Sequence, residues 1–174
     1  YKIEELTYNI SPSATSINEG EILTTSISTT NVAANTTLYY SLSGTGISSN
    51  DFFSGSLTGS GTVDSNGDFS FSHTLANDLT TEGNEILNIK LFSDSALSTQ
   101  AGTTSVVTIT DTSKTPTYSI SPSAGSINEG QTLTTSISTT NVAANTTLYY
   151  SLSGTGITSS DFSSGALTGS GTVD

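Results

Sequence analysis

The sequence predicts an all-β protein, an antiparallel β-sandwich repeated along the chain. Three observations carry that expectation. Short runs alternate apolar and polar residues, and no run keeps the 3.6-residue period of a helix. Turn-forming Gly, Asn, Asp and Pro recur at short intervals. Residues 8–64 reappear as 118–174, offset by 110, and differ only at positions 9, 15, 21, 22, 48, 50, 53 and 56. A period of that size fits a tandem array of small domains better than a short-period solenoid.

Taken in order, Tyr8-Asn9-Ile10 opens a short strand that Ser11-Pro12 closes. Asn18-Glu19-Gly20 is a turn. Ile22 to Thr30 alternates, placing Leu23, Thr25 and Ile27 on one face, and Asn31 to Asn35 turns the chain. Leu38, Tyr40 and Leu42 form the inward face of the next strand, with Tyr39 and Ser41 outward. Gly44-Thr45-Gly46 ends it. Asp51-Phe52 leads into a Gly/Ser-rich strand through Leu57 and Val63. Asp64-Ser65-Asn66-Gly67-Asp68 predicts a hairpin, because Asn-Gly supplies the positive φ angles of a type I′ turn. Phe69, Phe71 and Leu75 share a face on the return strand. Leu87, Ile89 and Leu91 mark another strand, and Val107 and Ile109 the last. About seven strands in roughly 105 residues match an immunoglobulin-like sandwich. Large apolar residues are few, so the core is expected to be thin. Thr suits the outward strand positions.

The charge excludes several functions. Fifteen acidic residues face three Lys and no Arg, for a net charge of −12. A nucleic-acid partner requires a basic stripe, which is missing. No hydrophobic run reaches the roughly 20 residues of a membrane span. There is no Cys, so disulfides and thiolate metal sites are excluded. No signal peptide opens the chain, which fits an internal piece of a longer protein.

The densest acidic stretch is Asn77-Asp78-Leu79-Thr80-Thr81-Glu82-Gly83-Asn84-Glu85. Its three carboxylates repel one another and raise one another's pKa unless a cation sits among them. They lie on a loop entering a strand, at a sheet end where calcium collects oxygens from several loops. A solvated acidic turn is the alternative reading of the same spacing.

Four pieces in order, Asn18-Glu19-Gly20, Leu38 to Leu42 with Asp51-Phe52, Asn77 to Glu85, and Val107 to Asp111, resemble the Calx-beta domain family. That family is known from sodium–calcium exchangers and from bacterial surface proteins. The resemblance covers about 17–112, and the second copy carries only its first half. Repetition alone leaves the phase open, since 65–174 could equally be the compact unit. The resemblance sets it: 1–7 as a lead-in, 8–112 as the complete repeat, 113–117 as a linker with Pro116, and 118–174 as the first half of a second repeat. It implies calcium ligands at Glu19, Asp51, Asp78, Glu82, Glu85 and Asp111. Asn77 stands where many members have another acid, and Asp111 is a single Asp where strong binders have two or three. At most one weakly held calcium ion per complete repeat is therefore expected. Glu129 and Asp161 repeat Glu19 and Asp51, but an incomplete site is expected there. The isolated half-sandwich is expected to need a covering partner.

The remaining signals are weak. His73, the single His, shares parity with Phe69, Phe71 and Leu75 and is expected to be packed rather than a ligand. Residues 64–68 are similar to part of an EF-hand loop but lack its downstream Glu. The Gly-rich stretches have no following helix or Lys to cradle phosphate. Sequons at Asn9, Asn35 and Asn145 are unremarkable in so Thr-rich a chain. Glu82 with Glu85 could form an acid/base pair, but no sugar pocket is evident, so no enzyme is expected. The expected role is a spacer or stalk repeat of an extracellular or cell-surface protein, in adhesion or in a surface layer or filament. The expected partners are neighbouring repeats or identical chains. The alternative is a calcium-dependent module that binds a carbohydrate or protein, with Tyr39 and Tyr149 as a repeated contact surface.

Overall fold

A computed structural model of the chain describes residues 4–174; positions 1–3 of the expected lead-in lie outside the described residues. It divides into two compact units, with the boundary between Lys114 and Thr115.

The first unit is a two-sheet β-sandwich. Its strands are β1 (Thr7–Pro12), β2 (Ser16–Asn18), β3 (Ile22–Thr30), β4 (Thr37–Ser43), β5 (Phe52–Ser54), β6 (Thr58–Thr62), β7 (Asp68–Leu75), β8 (Glu85–Phe92) and β9 (Gln100–Thr110). One sheet has the order β1-β3-β7-β5 and the other β2-β9-β8-β4-β6. Seven strands have five residues or more, as the alternation predicts. The two three-residue strands, β2 and β5, are too short to show a period.

Alternation sets the core. Leu23, Thr25 and Ile27 of β3 are buried, as are Leu38 and Leu42 of β4. Leu87, Ile89 and Leu91 of β8 meet them with Leu75, Val107 and Ile109. Two rings of β7 and β4 extend this core. Tyr40 stacks on Phe71 with centroids 3.8 Å apart and planes 7° from parallel. His73 is buried among Phe52, Tyr40 and Phe71. Its Nε2 lies 2.8 Å from the Ser56 carbonyl, which can only accept, so Nε2 carries the proton. The glycines of β6 make room for these rings. A Cβ on Gly61 would lie 2.1 Å from the Phe69 ring, and one on Gly59 2.3 Å from the Tyr40 hydroxyl.

Two sequence expectations are corrected. The pairing is not wholly antiparallel, because β2 runs parallel to β9, with Ser16 opposite Thr108. The chain leaves one sheet for the other after Pro12, which lacks the N–H a continuing ladder needs. Ser13 holds the crossing point by donating its N–H to the Thr24 carbonyl and accepting the Thr24 N–H at Oγ. Residues 64–68 do not close a hairpin either, since β6 and β7 belong to different sheets. Gly67 has a positive φ of 92°, but Asn66 does not. A type I′ turn needs both. The Asp64 carboxylate builds the corner instead, accepting the N–H groups of Asn66 (2.7 Å) and Asp68 (3.0 Å). The Gly67 carbonyl is then taken by the N–H and hydroxyl of Thr29, which draws β7 onto β3.

The second unit contains β10 (Thr117–Pro122), β11 (Thr135–Thr140), β12 (Thr147–Ser151) and β13 (Thr168–Thr172). They form two separate ribbons, β10-β11 and β12-β13. Their registers repeat those of β1-β3 and β4-β6: Thr117 faces Thr140 as Thr7 faces Thr30. No residue from Thr115 to Asp174 is buried.

Truncating a central side chain of the first unit leaves a cavity. We expect Leu87→Ala to lower the stability of that unit by about 2–5 kcal/mol, measured as a shift of its urea unfolding midpoint.

Candidate metal centre

Four segments meet at one end of the first sandwich. Glu19 lies in the turn after β2, and Asp51 closes the 3-10 turn Ser49–Asp51 before β5. Asp78 and Glu82 lie on the loop after β7, and Glu85 is the first residue of β8. The two sheets bring these points together. Gly20 donates to the carbonyl of Ala76 at 3.2 Å, and Ala76 donates to the carbonyl of Asp51 at 2.8 Å. The turn carrying Glu19, the turn carrying Asp51 and the acidic loop are thus joined through the backbone on either side of Ala76. Glu19, Asp51, Asp78, Glu82 and Glu85 line one small cleft, floored by Ala76 and Ile109.

Within the cleft the carboxylates form two triads. Glu19, Asp78 and Glu82 are one, and Asp51, Glu82 and Glu85 the other. In each, one oxygen per residue lies within 4.8 Å of the others. Two oxygens on opposite sides of a calcium ion, each about 2.4 Å from it, are about 4.8 Å apart. The spacing therefore suits a hard cation, and the donors are all oxygens. Glu82 belongs to both triads.

Asp111 stands outside the triads and organises the loop. Its Oδ2 accepts the N–H groups of Glu82 (3.1 Å) and Gly83 (2.8 Å), while its own N–H donates to Asn84 Oδ1 at 3.2 Å. Its Oδ1 is buried without a hydrogen-bond partner. A buried carboxylate oxygen with nothing to accept is costly unless a cation or water meets it.

Glu19 also has a role that spacing does not reveal. Its Oε2 accepts from the N–H of Thr112 (3.0 Å), the N–H of Ser113 (2.7 Å) and the hydroxyl of Ser113 (2.6 Å). The last residues of the first unit are thereby tied to the turn after β2. Ser113 and Asn84 were not identified from the sequence. Both are short polar residues in loops, with no periodicity to mark them. Glu129 and Asp161 have no acidic loop beside them in the second unit. Asp161 accepts from the N–H of Thr158 at 2.7 Å, which holds its pKa down, and Glu129 is exposed.

The crowding has an electrostatic cost. Glu85 is pushed up to about 7, first by burial and then by the charges of Asp51, Glu82, Glu19 and Asp78. Glu82 is raised in the same way, by desolvation first and then by Asp78, Asp51, Glu19 and Asp111.

No protein-family model matches the chain, and no curated protein matches it by sequence.

The raised carboxyls couple stability to pH. Folded Glu85 keeps its proton up to about 7, whereas the unfolded chain releases it near 4.5. Between those values the native state binds more protons, so stability falls as pH rises. The contribution is complete below the unfolded value and lost through the folded one. In chelator, we expect the urea midpoint of the first unit to fall from about pH 5 to about pH 8, and Glu85→Gln to flatten that slope.

Proposed function

We propose that this chain is a structural repeat, a spacer or stalk segment of a long extracellular or cell-surface protein, stiffened by calcium at the end of the complete unit. The observation that carries the reading is the convergence of five carboxylates from separate segments around a cleft, with the orphaned Oδ1 of Asp111 behind their loop. A calcium ion would be held by oxygens of these acids. It would neutralise the repulsion that raises Glu82 and Glu85, and so stabilise the fold. Asp111, which holds the acidic loop, lies just before the unit boundary, and Glu19 already ties Thr112 and Ser113 to the domain end. Binding there would stiffen the exit of the chain. The sequence features that resemble Calx-beta domains agree with this role. So do the net charge of −12 and the near-identity of 8–64 and 118–174, which suit a tandem array used in adhesion or in a surface layer or filament.

A calcium-dependent module for a carbohydrate or protein partner is the second reading. It would use exposed aromatic side chains, of which Phe53 and Tyr149 are the clearest. They are not equivalent positions: Ser163 replaces Phe53 in the second copy, and Tyr39 is half-buried where Tyr149 is exposed. A surface repeated from unit to unit is therefore less favoured than a spacer.

The test is a thermal melt of the whole chain in calcium, in magnesium and in chelator. Extracellular modules bind calcium with dissociation constants of roughly 10⁻⁴–10⁻³ M. At about 100 times that constant the first unit should gain about 2.7 kcal/mol, a shift of several degrees. Glu82→Gln, which removes the acid common to both triads, should abolish the shift while folding normally in chelator. Identical curves in calcium and chelator would refute the reading.

A further inference from the structure

The second unit shows the face that the first unit buries. Ile10, Leu23, Ile27 and Leu42 are 8%, 0%, 1% and 3% exposed; their counterparts Ile120, Leu133, Ile137 and Leu152 are 70%, 43%, 44% and 39% exposed. An open groove of about 560 Å³ lies within the second unit, lined by Ile137, Leu148 and Val173 among others. All eight positions at which the copies differ are exposed in the first unit. The apolar face is therefore chemically the same in both.

The strands absent from the second unit identify what is missing. Residues 126–128 and 162–164, the counterparts of β2 and β5, form no strand. In the first unit β2 pairs with β9, and β5 pairs with β7. β11 begins at Thr135 and β12 ends at Ser151, each shorter than β3 and β4 where those pair with β7 and β8. Every loss falls where the partner would come from residues 68–110.

We infer that the second unit is a strand acceptor whose occupant is a polypeptide with the sequence of residues 65–114. That segment supplies Leu75, Leu87, Ile89 and Leu91 to the face, and ladders for β11 and β12. The chain's own copy is not the occupant, because moving it would uncover 8–64 and gain nothing. It would also break the bonds from Glu19 to Thr112 and Ser113. A second open unit packed face to face is disfavoured too. It offers only strands of the β1, β3, β4 and β6 type, whereas the order β1-β3-β7-β5 needs a β7 strand between its second and fourth members.

The test uses the whole chain with excess 65–114 polypeptide, in chelator so that the outcome does not depend on any ion. Amide hydrogen exchange is followed in peptides spanning 131–153, which Gln131 and Thr132 distinguish from the first copy. Protection there should rise at least about tenfold, toward that of 21–43. A polypeptide with Leu87, Ile89 and Leu91 all changed to Asp should have no effect. Should the free segment aggregate, the same segment fused after Asp174 should protect 131–153 at any protein concentration. Three results would overturn the inference: no added protection from the free or the fused segment, equal protection from the Asp-substituted one, or concentration-dependent protection in the chain alone, which would make a second copy the occupant.

Discussion

The structure depends on one burial event, the closure of two sheets on each other, in each of which strands from residues 8–64 pair with strands from 68–110. Neither half is rich in large apolar side chains, so the sandwich relies on most of them. Leu23, Ile27 and Leu75 in one sheet, and Leu38, Leu87, Ile89 and Leu91 in the other, are each about 1% exposed or less. Burial of this kind contributes roughly 25 cal/mol per Å² of apolar surface. It also imposes geometry. Once the sheets close, the ends of β2, β5, β7, β8 and β9 are brought to the same end of the sandwich, and their acids come with them. Where the second half is not supplied, as in residues 115–174, the same N-terminal sequence keeps its local ribbons and buries nothing.

The acidic end follows from that closure and strains against it. Carboxylates that would be harmless in an open chain are pressed together and partly desolvated, which raises Glu85 and Glu82. The protein counters part of this with backbone donors. Asp111 takes two N–H groups of the acidic loop, and Glu19 takes two N–H groups and a hydroxyl from Thr112 and Ser113. Asp51 accepts the Ser48 N–H and Asp78 the Thr80 N–H, while Asp111 Oδ1 is buried without a partner. A proton on Glu85 relieves the crowding near neutral pH. A divalent cation would relieve it more completely, and would bind harder as that proton leaves.

Much of the fold was legible in the sequence, because strand alternation is a strong local signal. The faces of β3, β4, β7 and β8 follow from period two alone. The parts that were not legible are those decided by tertiary partners. β2 and β5 are short and exist only because β9 and β7 lie beside them, as their absence from the second unit shows. The Asn66-Gly67 pair signals a hairpin, but the Asp64 side chain and the Thr29 bonds to Gly67 override it. At the site, the Calx-beta resemblance implied Glu19, Asp51, Asp78, Glu82, Glu85 and Asp111; the structure places the first five around one cleft and sets Asp111 on the N–H groups of the acidic loop instead. The structural role of Asp111 and the partnership of Glu19 with Ser113 required the fold. No local pattern brings positions 94 residues apart into contact.

The central claim, that Glu85 would give up its proton to a divalent cation held among these acids, is tested most directly by calorimetric calcium titration of the whole chain in two buffers of different ionisation enthalpy. The account predicts saturable binding accompanied by proton release. That release should be largest between about pH 5 and pH 7, where Glu85 of the ion-free folded chain still holds its proton, and should vanish above about pH 8.5. Absence of binding, or binding with no proton release at any pH, would contradict it.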